Sequence, residues 1–517
     1  MSTTVGAVAG MAGTSVSALN SARYSPGATG QPSSPTKDQE PSSCWRYRPG
    51  ASTGSTTAPP SAGLLGRTHR RGHRHPAVGL ALELGLGEAE PCSLREHLGR
   101  MHLRRGNSTG KAQVGGMTDD EETYIGQRVR QIRARRGITQ QVLADRAGLS
   151  RSVLAKYEAG LRPVDSRRTM LALAQALGCT LGDLTGSDDR IDPSTSAFHR
   201  AVPAIETALW TQGNITDTRR PRTLKELTTA VVQASQLRHA GDYATLGPLL
   251  PDLLTDAYRL TESGSTQAWD LLATAAYGVS SALRQRGHDA LAWTAVQESE
   301  RAASHADSLA PVAAAQFLKS QVLAARPGAL AASLSVASGT ADRLTPEAAT
   351  RGELETVGMA RLQAGFAETL AGGDAQPHLE EAAELASRLN DAQPGHSTAR
   401  NRTFGPANVA LWQLSSAVER REPGVALRIA ETLDPTQLPN GVRHAQYFVE
   451  VGRAYAMKRD HRSALHALLR GEHAAPQHVR GLSPVRELVG AMLREARRDL
   501  ATGELGKLAK RVGVVSV

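Results

Sequence analysis

From residue 194 onward one event recurs along the chain: a turn built from Gly, Pro or Asp, followed at once by an amphipathic helix. The junctions read AGDYATLGPLL (240–250), RGHDALAWTAV (286–296), RPGALAASLSV (326–336), AGGDAQPHLEEA (371–382), REPGVALRIAE (421–431) and KRDHRSALHALL (458–469), spaced 37 to 50 residues apart. Between them Ala, Leu and Val return every three or four residues, and strand-like alternation is nearly absent. One helical hairpin cannot bury its own apolar face, so hairpins at this spacing must stack on neighbours. This restricts residues 187–517 to an all-α hairpin array, degenerate because the period is not strict. LLATAAYGVSSALRQRG (271–287) and YFVEVGRAYAMKRD (447–460) have the form of a unit's first helix, with small residues where two helices approach.

Residues 1–116 are a different material. PSSPTKDQEPSSCWRYRPGASTGSTTAPPSAG has too few apolar side chains to offset the entropy of ordering it, so a disordered low-complexity tail is expected. PAVGLALELGLGEAEPCSLREHLGRMHLRR (76–105) is the one piece with the pattern of a short helix. RTHRRGHRH (67–75) reads as a solvated basic patch, and Cys92 with His97 and His102 offers one thiolate where a zinc site needs more. The character changes at Met117, just before the first foldable segment. The favoured expectation is that translation starts there and that the preceding residues come from a mis-assigned start. The opening residues lack a basic n-region and read as a poor signal peptide.

Charge narrows the partners. Residues 1–116 carry 13 Lys or Arg and 6 Asp or Glu; residues 117–186 carry 11 and 8; the rest carries 36 of each. The long C-terminal part is therefore no extended nucleic-acid surface, and only the first 186 residues favour a polyanion. Arg outnumbers Lys by 52 to 8 throughout the chain, which reads as codon bias rather than a site. Cys44, Cys92 and Cys179 are far apart and odd in number, as in a reducing cytoplasm. No run of about 18 apolar residues occurs, so no membrane span is expected.

Residues 117–186 form a second, smaller domain. TYIGQRVRQIRARR (123–136) places Ile125, Val129 and Ile132 on one helical face, and Gly137 stops that helix. Thr139 caps a second helix that turns Leu143, Ala144 and Ala147 inward. Gly148 makes a tight turn, and Ser150 caps a third helix, Arg151 to Ala159. That helix buries Val153, Leu154 and Tyr157 and shows Arg151, Ser152, Ala155 and Lys156. Gly160 and Pro163 end it. SRRTMLALAQALG (166–178) and TLGDLTG (180–186) make a fourth and a short fifth helix. Two short helices joined by a Gly turn are a helix-turn-helix, whose second member fits the DNA major groove.

RQIRARRGITQQVLADRAGLSRSVLAKYEAGLRP resembles the helix-turn-helix of the XRE and phage-repressor family. The resemblance covers residues 123–186 and rests on R-x-x-R-G, T-Q-x-x-L-A, the A-G-hydrophobic-S turn and the hydrophobic-E-x-G ending. It implies that Arg151, Ser152 and Lys156 read bases. It implies that Thr139, Gln140 and the backbone near Arg162 hold phosphates, and that Arg133 and Glu158 form a structural salt bridge between helices one and three. Ala155 is short where the family often carries a longer base-reading side chain. Residues 117–517 as a whole resemble actinobacterial XRE-type regulators with a C-terminal TPR-like sensor domain, the stretches FGPANVALWQLSSAVERREPGVALRIAETLDP and LSPVRELVGAMLREARR most of all.

These readings imply a cytoplasmic, DNA-binding transcriptional regulator with double-stranded DNA as partner, acting as a homodimer. A peptide or small-molecule effector would bind the helical array. The candidate ligand groove is Arg400, Arg402, Phe404, Asn408 and Trp412, which mix charge, aromatic and amide groups; Trp269, Trp293 and Tyr447 are further candidates. No cofactor or metal is expected. No nucleotide-phosphate loop, zinc-protease motif or nucleophile elbow occurs, so the chain is not read as an enzyme. The competing reading is a protein-interaction scaffold that carries a helix-turn-helix module.

Overall fold

The computed structural model describes residues 124–186, 193–214, 219–390, 403–495 and 503–514. All of them fall in one compact unit, Gly110–Val517. The expected tail 1–116, the acidic residues 119–122, and Arg400 and Arg402 lie outside the described residues. Among the described residues every regular element is a helix.

The first five helices are short: α1 (Ile125–Arg135), α2 (Gln140–Arg146), α3 (Arg151–Glu158), α4 (Arg167–Leu177) and α5 (Leu181–Thr185). Each of the last four starts at a hydroxyl cap. Thr139 Oγ1 accepts from Val142 N at 3.2 Å, Ser150 Oγ from Val153 N at 3.3 Å and Ser166 Oγ from Thr169 N at 3.4 Å. Thr180 and Asp183 form a reciprocal capping box. Isolated helices of this length are marginal in water, so packing must hold them. Val129, Leu143, Leu154, Leu173, Leu177 and Leu184 meet in one closed core. Leu154 is fully buried, so Leu154→Ala should cost about 2–5 kcal/mol. At Gly126 the backbones of α1 and α3 nearly touch: an added Cβ would sit 1.8 Å from the Tyr157 carbonyl oxygen.

The array follows as α6 (Pro193–Thr211), α7 (Leu224–Ala240), α8 (Tyr243–Leu246), α9 (Leu250–Thr261), α10 (Thr266–Gln285), α11 (Asp289–Ala303), α12 (Leu309–Ala324), α13 (Leu330–Leu344), α14 (Arg351–Ala371) and α15 (Gln376–Ser387). It continues as α16 (Pro406–Glu419), α17 (Pro423–Thr432), α18 (Gly441–Met457), α19 (His461–Ala474), α20 (Pro476–Arg480), α21 (Ser483–Glu495) and α22 (Glu504–Arg511). Each of the six turn-then-helix junctions opens a helix: α8, α11, α13, α15, α17 and α19 start inside them. Successive helices pack as neighbours, above all α10 with α11, α13 with α14 and α18 with α19. Serines tie facing helices together where small side chains bring them close. Ser280 Oγ donates to Ala292 O at 2.7 Å, Ser299 Oγ donates to Ala273 O at 2.8 Å, and Ser320 and Ser333 bond each other across α12 and α13. Gly452 lets α18 approach α19, because a Cβ there would lie 3.2 Å from the Ala464 carbonyl oxygen.

The small domain is keyed into the array by buried charge. Arg453 of α18 is 1 % exposed and forks between Glu450 Oε2 at 2.6 Å and Glu419 Oε1 at 3.0 Å, while donating to Asp165 O at 2.8 Å. Glu419 Oε2 accepts from both Ser166 Oγ at 3.0 Å and Arg167 N at 2.9 Å, at the first turn of α4. Arg421 Nη1 donates to Asp165 Oδ1 at 2.6 Å. Burial alone would raise Glu419, but Arg453 and Arg167 outweigh it and hold the carboxyl below its usual range. A second joint lies at α1, where Ile125 N donates to Glu487 Oε1 at 2.6 Å. There burial dominates and pushes Glu487 up to about 7.

Candidate nucleic-acid interface

Helix α3 presents two faces. Leu154 and Tyr157 are buried against the small domain's core, whereas Arg151 and Ser152 at its start and Lys156 in its last turn are exposed. The opposite end is held from two sides: Tyr124, at the start of α1, donates its OH to Glu158 O at 2.9 Å, and Arg494 of the array donates Nε to Gly160 O at 3.3 Å. The N-terminal turn of α3, where a groove-inserted helix carries its base-contacting side chains, is thus left open.

Glu158 organises the back of the motif. Arg133 grips it in a fork, Nε to Oε1 at 2.6 Å and Nη2 to Oε2 at 2.9 Å. The first of these bonds leads among the influences that hold the Arg133 guanidinium above its ordinary range. Arg133 Nη1 also donates to Ile138 O at 2.9 Å, which pins the turn before α2. Gln140 Nε2 donates to Glu158 Oε2 at 2.8 Å. The side chain read as a phosphate ligand is therefore also part of the frame between α1, α2 and α3. Thr139 is exposed, and its hydroxyl caps α2. Arg162 lies over the Tyr157 ring at 5.4 Å, while its backbone N–H returns to Lys156 O at 3.3 Å. Ser152 Oγ stands 3.1 Å from Ser150 Oγ, and Ala155 is half-buried.

The candidate groove residues divide. Trp412 lines a cavity between the small domain and the array. Phe404 is instead wedged against α14 at Gly358, where a Cβ would come within 2.1 Å of its ring. Asn408 is 1 % exposed and donates to Met359 Sδ at 3.3 Å. Phe404 and Asn408 thus sit in the core rather than on a groove surface. Tyr447 is buried with its hydroxyl on Ala430 O at 2.9 Å, and Trp269 stacks on His305 at a centroid distance of 4.3 Å.

The joint formed by Asp165, Ser166 and Arg167 with Glu419, Glu450 and Arg453 has no signature in the sequence. Its members lie some 250 residues apart, and each carboxylate or arginine reads locally as a helix-surface charge. No group of three His, Cys, Asp or Glu side chains among the described residues could hold a metal ion, and no helix among them is long and apolar enough to cross a membrane.

A family model described as a helix-turn-helix domain matches residues 125–185. No curated protein and no solved structure matches the chain.

Proposed function

We propose that the chain is a sequence-specific DNA-binding transcriptional regulator of the XRE type, with α3 as the recognition helix. The observation that carries this reading is the open, polar start of α3 on a helix whose other face is locked into a core. Arg151, Ser152 and Lys156 read base edges. Thr139, Gln140 and the Arg162 backbone hold phosphates; Gln140 spends one amide hydrogen on Glu158 and keeps the other for the DNA. One helix-turn-helix supplies few contacts, so the active form is a homodimer on two half-sites about one helical turn apart. The helical array, TPR-like in its hairpin packing, holds the DNA-binding domain and responds to an effector, as in the actinobacterial regulators that the sequence resembles.

The test starts from genomic fragments enriched by the full-length protein. On the strongest fragment, Arg151→Ala should weaken binding by about 1–3 kcal/mol, and binding should fall steeply with added salt as counterions are released. Equal affinity of wild type and Arg151→Ala for that fragment would remove α3 as the reading helix. A protein that binds no fragment but captures a single protein partner would favour the scaffold reading.

A further inference from the structure

Between the helix-turn-helix and the array lies a cavity of about 490 Å³, within the range of small-molecule sites. One wall comes from α4 and α5, including Arg167, Met170, Leu171 and Leu181. The other comes from the array. Among the described residues, eight arginines line it against two carboxylates, Asp289 and Glu450.

Some of these arginines are neutralised. Arg167 lies within ion-pair range of Glu419 and Glu450, and Arg480 and Arg511 share Glu472. Arg238, Arg284 and Arg443 are not: no ion pair joins them to a carboxylate among the described residues. Arg443 Nη1 donates to Gln446 Oε1 at 2.7 Å and lies over the Trp412 ring at 5.8 Å. Arg284 Nη2 donates to Gln321 Oε1 at 3.2 Å, and its Nε is buried with no acceptor. Arg238 covers the Tyr277 ring at 5.5 Å and stands 2.9 Å from His239 Nε2. Amides and rings occupy donors but cancel no charge, and Asp289 acts on Arg284 only from beyond ion-pair range. Burial, with Arg238 and Arg284 adding to it, brings Arg443 down to about 10. Burial, followed by the neighbouring guanidiniums, keeps His239 (about 2) and His478 (about 3) neutral.

Like charges enclosed without counter-charge are costly, and such perturbed clusters mark binding sites. A guanidinium fork matches a phosphate. Tyr277, Phe366 and Trp412 line the same cavity and offer apolar ring surface. We propose that this cavity binds a small phosphorylated ligand with a planar ring, of the nucleoside polyphosphate class, with Arg238, Arg284 and Arg443 on its phosphates. Because both walls contribute, the bound ligand favours the arrangement in which α4 and α5 sit against the array. The regulatory half of this inference rests on the DNA-binding reading; the binding half does not.

The experiment uses the full-length protein, thermal unfolding and calorimetric titration, all at matched ionic strength. The probes are purine and pyrimidine nucleoside di- and triphosphates, their nucleosides, inorganic pyrophosphate, sulfate, citrate and a hexaglutamate peptide. Nucleoside polyphosphates should raise Tm and bind saturably, pyrophosphate more weakly, and nucleosides not at all. Arg443→Gln should weaken that binding at least about tenfold while leaving the unliganded Tm unchanged or higher. Arg284→Gln serves the same purpose if Arg443→Gln does not fold. The proposal is overturned if no nucleotide outdoes sulfate, if citrate or the peptide equals the nucleotides, or if both variants bind as wild type does. Equal binding of pyrophosphate overturns the ring half alone. The ligand should also change affinity for the enriched DNA by about fivefold or more. Ligand binding without that change retains the site and removes its regulatory role, and loss of DNA binding altogether leaves the titration result untouched.

Discussion

Arg453 and Arg443 stand ten residues apart on the same helix, the first fully buried and the second half-buried at the cavity, and they live in opposite surroundings. Arg453 has Glu450, Glu419 and the Asp165 carbonyl around its guanidinium. Those acidic neighbours outweigh the cost of burial and hold its pKa above the usual arginine range. Arg443 has a glutamine and an indole face, with two further arginines nearby, and its pKa is depressed. Burial of an arginine thus carries no single meaning. With its counter-charges it keys two pieces of protein together; without them it waits for a charge from outside.

The largest expected effect tests the first half of that contrast. Arg453→Met removes the cation shared by two buried carboxylates, so unfolding stability should drop by about 3–5 kcal/mol, measured by urea denaturation. The matching triple change Arg453→Met, Glu419→Gln, Glu450→Gln should recover much of the loss; failure to do so would make packing, not charge, the reason for Arg453.

Glu487 is the acidic counterpart of Arg443, a buried charge held short of compensation. Its pKa in the folded chain, about 7, lies above the ordinary 4.5. Its contribution to stability is therefore fully present below pH 4.5 and is lost as pH rises through 7. The difference corresponds to about 3 kcal/mol at most. Glu487→Gln should flatten the part of the stability profile between pH 5 and 8 by roughly that amount. An unchanged profile would mean that Arg494, or the Ile125 and Val164 backbone N–H groups, stabilise the carboxylate more than burial opposes it.

Arg151 supplies the exposed end of the scale. With its charge in water, Arg151→Ala should change unfolding stability by less than about 0.5 kcal/mol, while costing the DNA affinity stated above. The smallest effect concerns a cap: Thr139→Ala should lower stability by about 1 kcal/mol. A larger drop in DNA affinity than in stability would assign the hydroxyl to phosphate as well as to Val142 N–H.

The helices of the small domain were readable because their signals are local. A hydroxyl, a helix of 5 to 11 residues and a Gly stop recur at Thr139, Ser150, Ser166 and Thr180, and none of these needs a distant partner. The six turns of the array were readable for the same reason. Phe404 and Asn408 were not: an aromatic and an amide near Arg400 look like a binding surface until Gly358 and Met359, some 45 residues earlier, are seen to receive them. Gln140 had a local reason to face DNA, and only the fold brings Glu158 to its amide. The cavity arginines were hidden by abundance, since 52 arginines make no single one stand out. What distinguishes Arg238, Arg284 and Arg443 is that none of them is ion-paired to a carboxylate among the described residues, a property of three-dimensional neighbourhoods rather than of spacing.

The contact at Gly126 has a mechanical meaning. Where α1 crosses α3 no side-chain layer separates the two backbones, so nothing there can slide or roll. The pair is coupled directly, backbone to backbone. Its near end is Ile125, grasped by Glu487 of α21, and its far end is Arg151. A tilt of α21 would reach the exposed start of α3 through this backbone contact rather than through a layer of side chains.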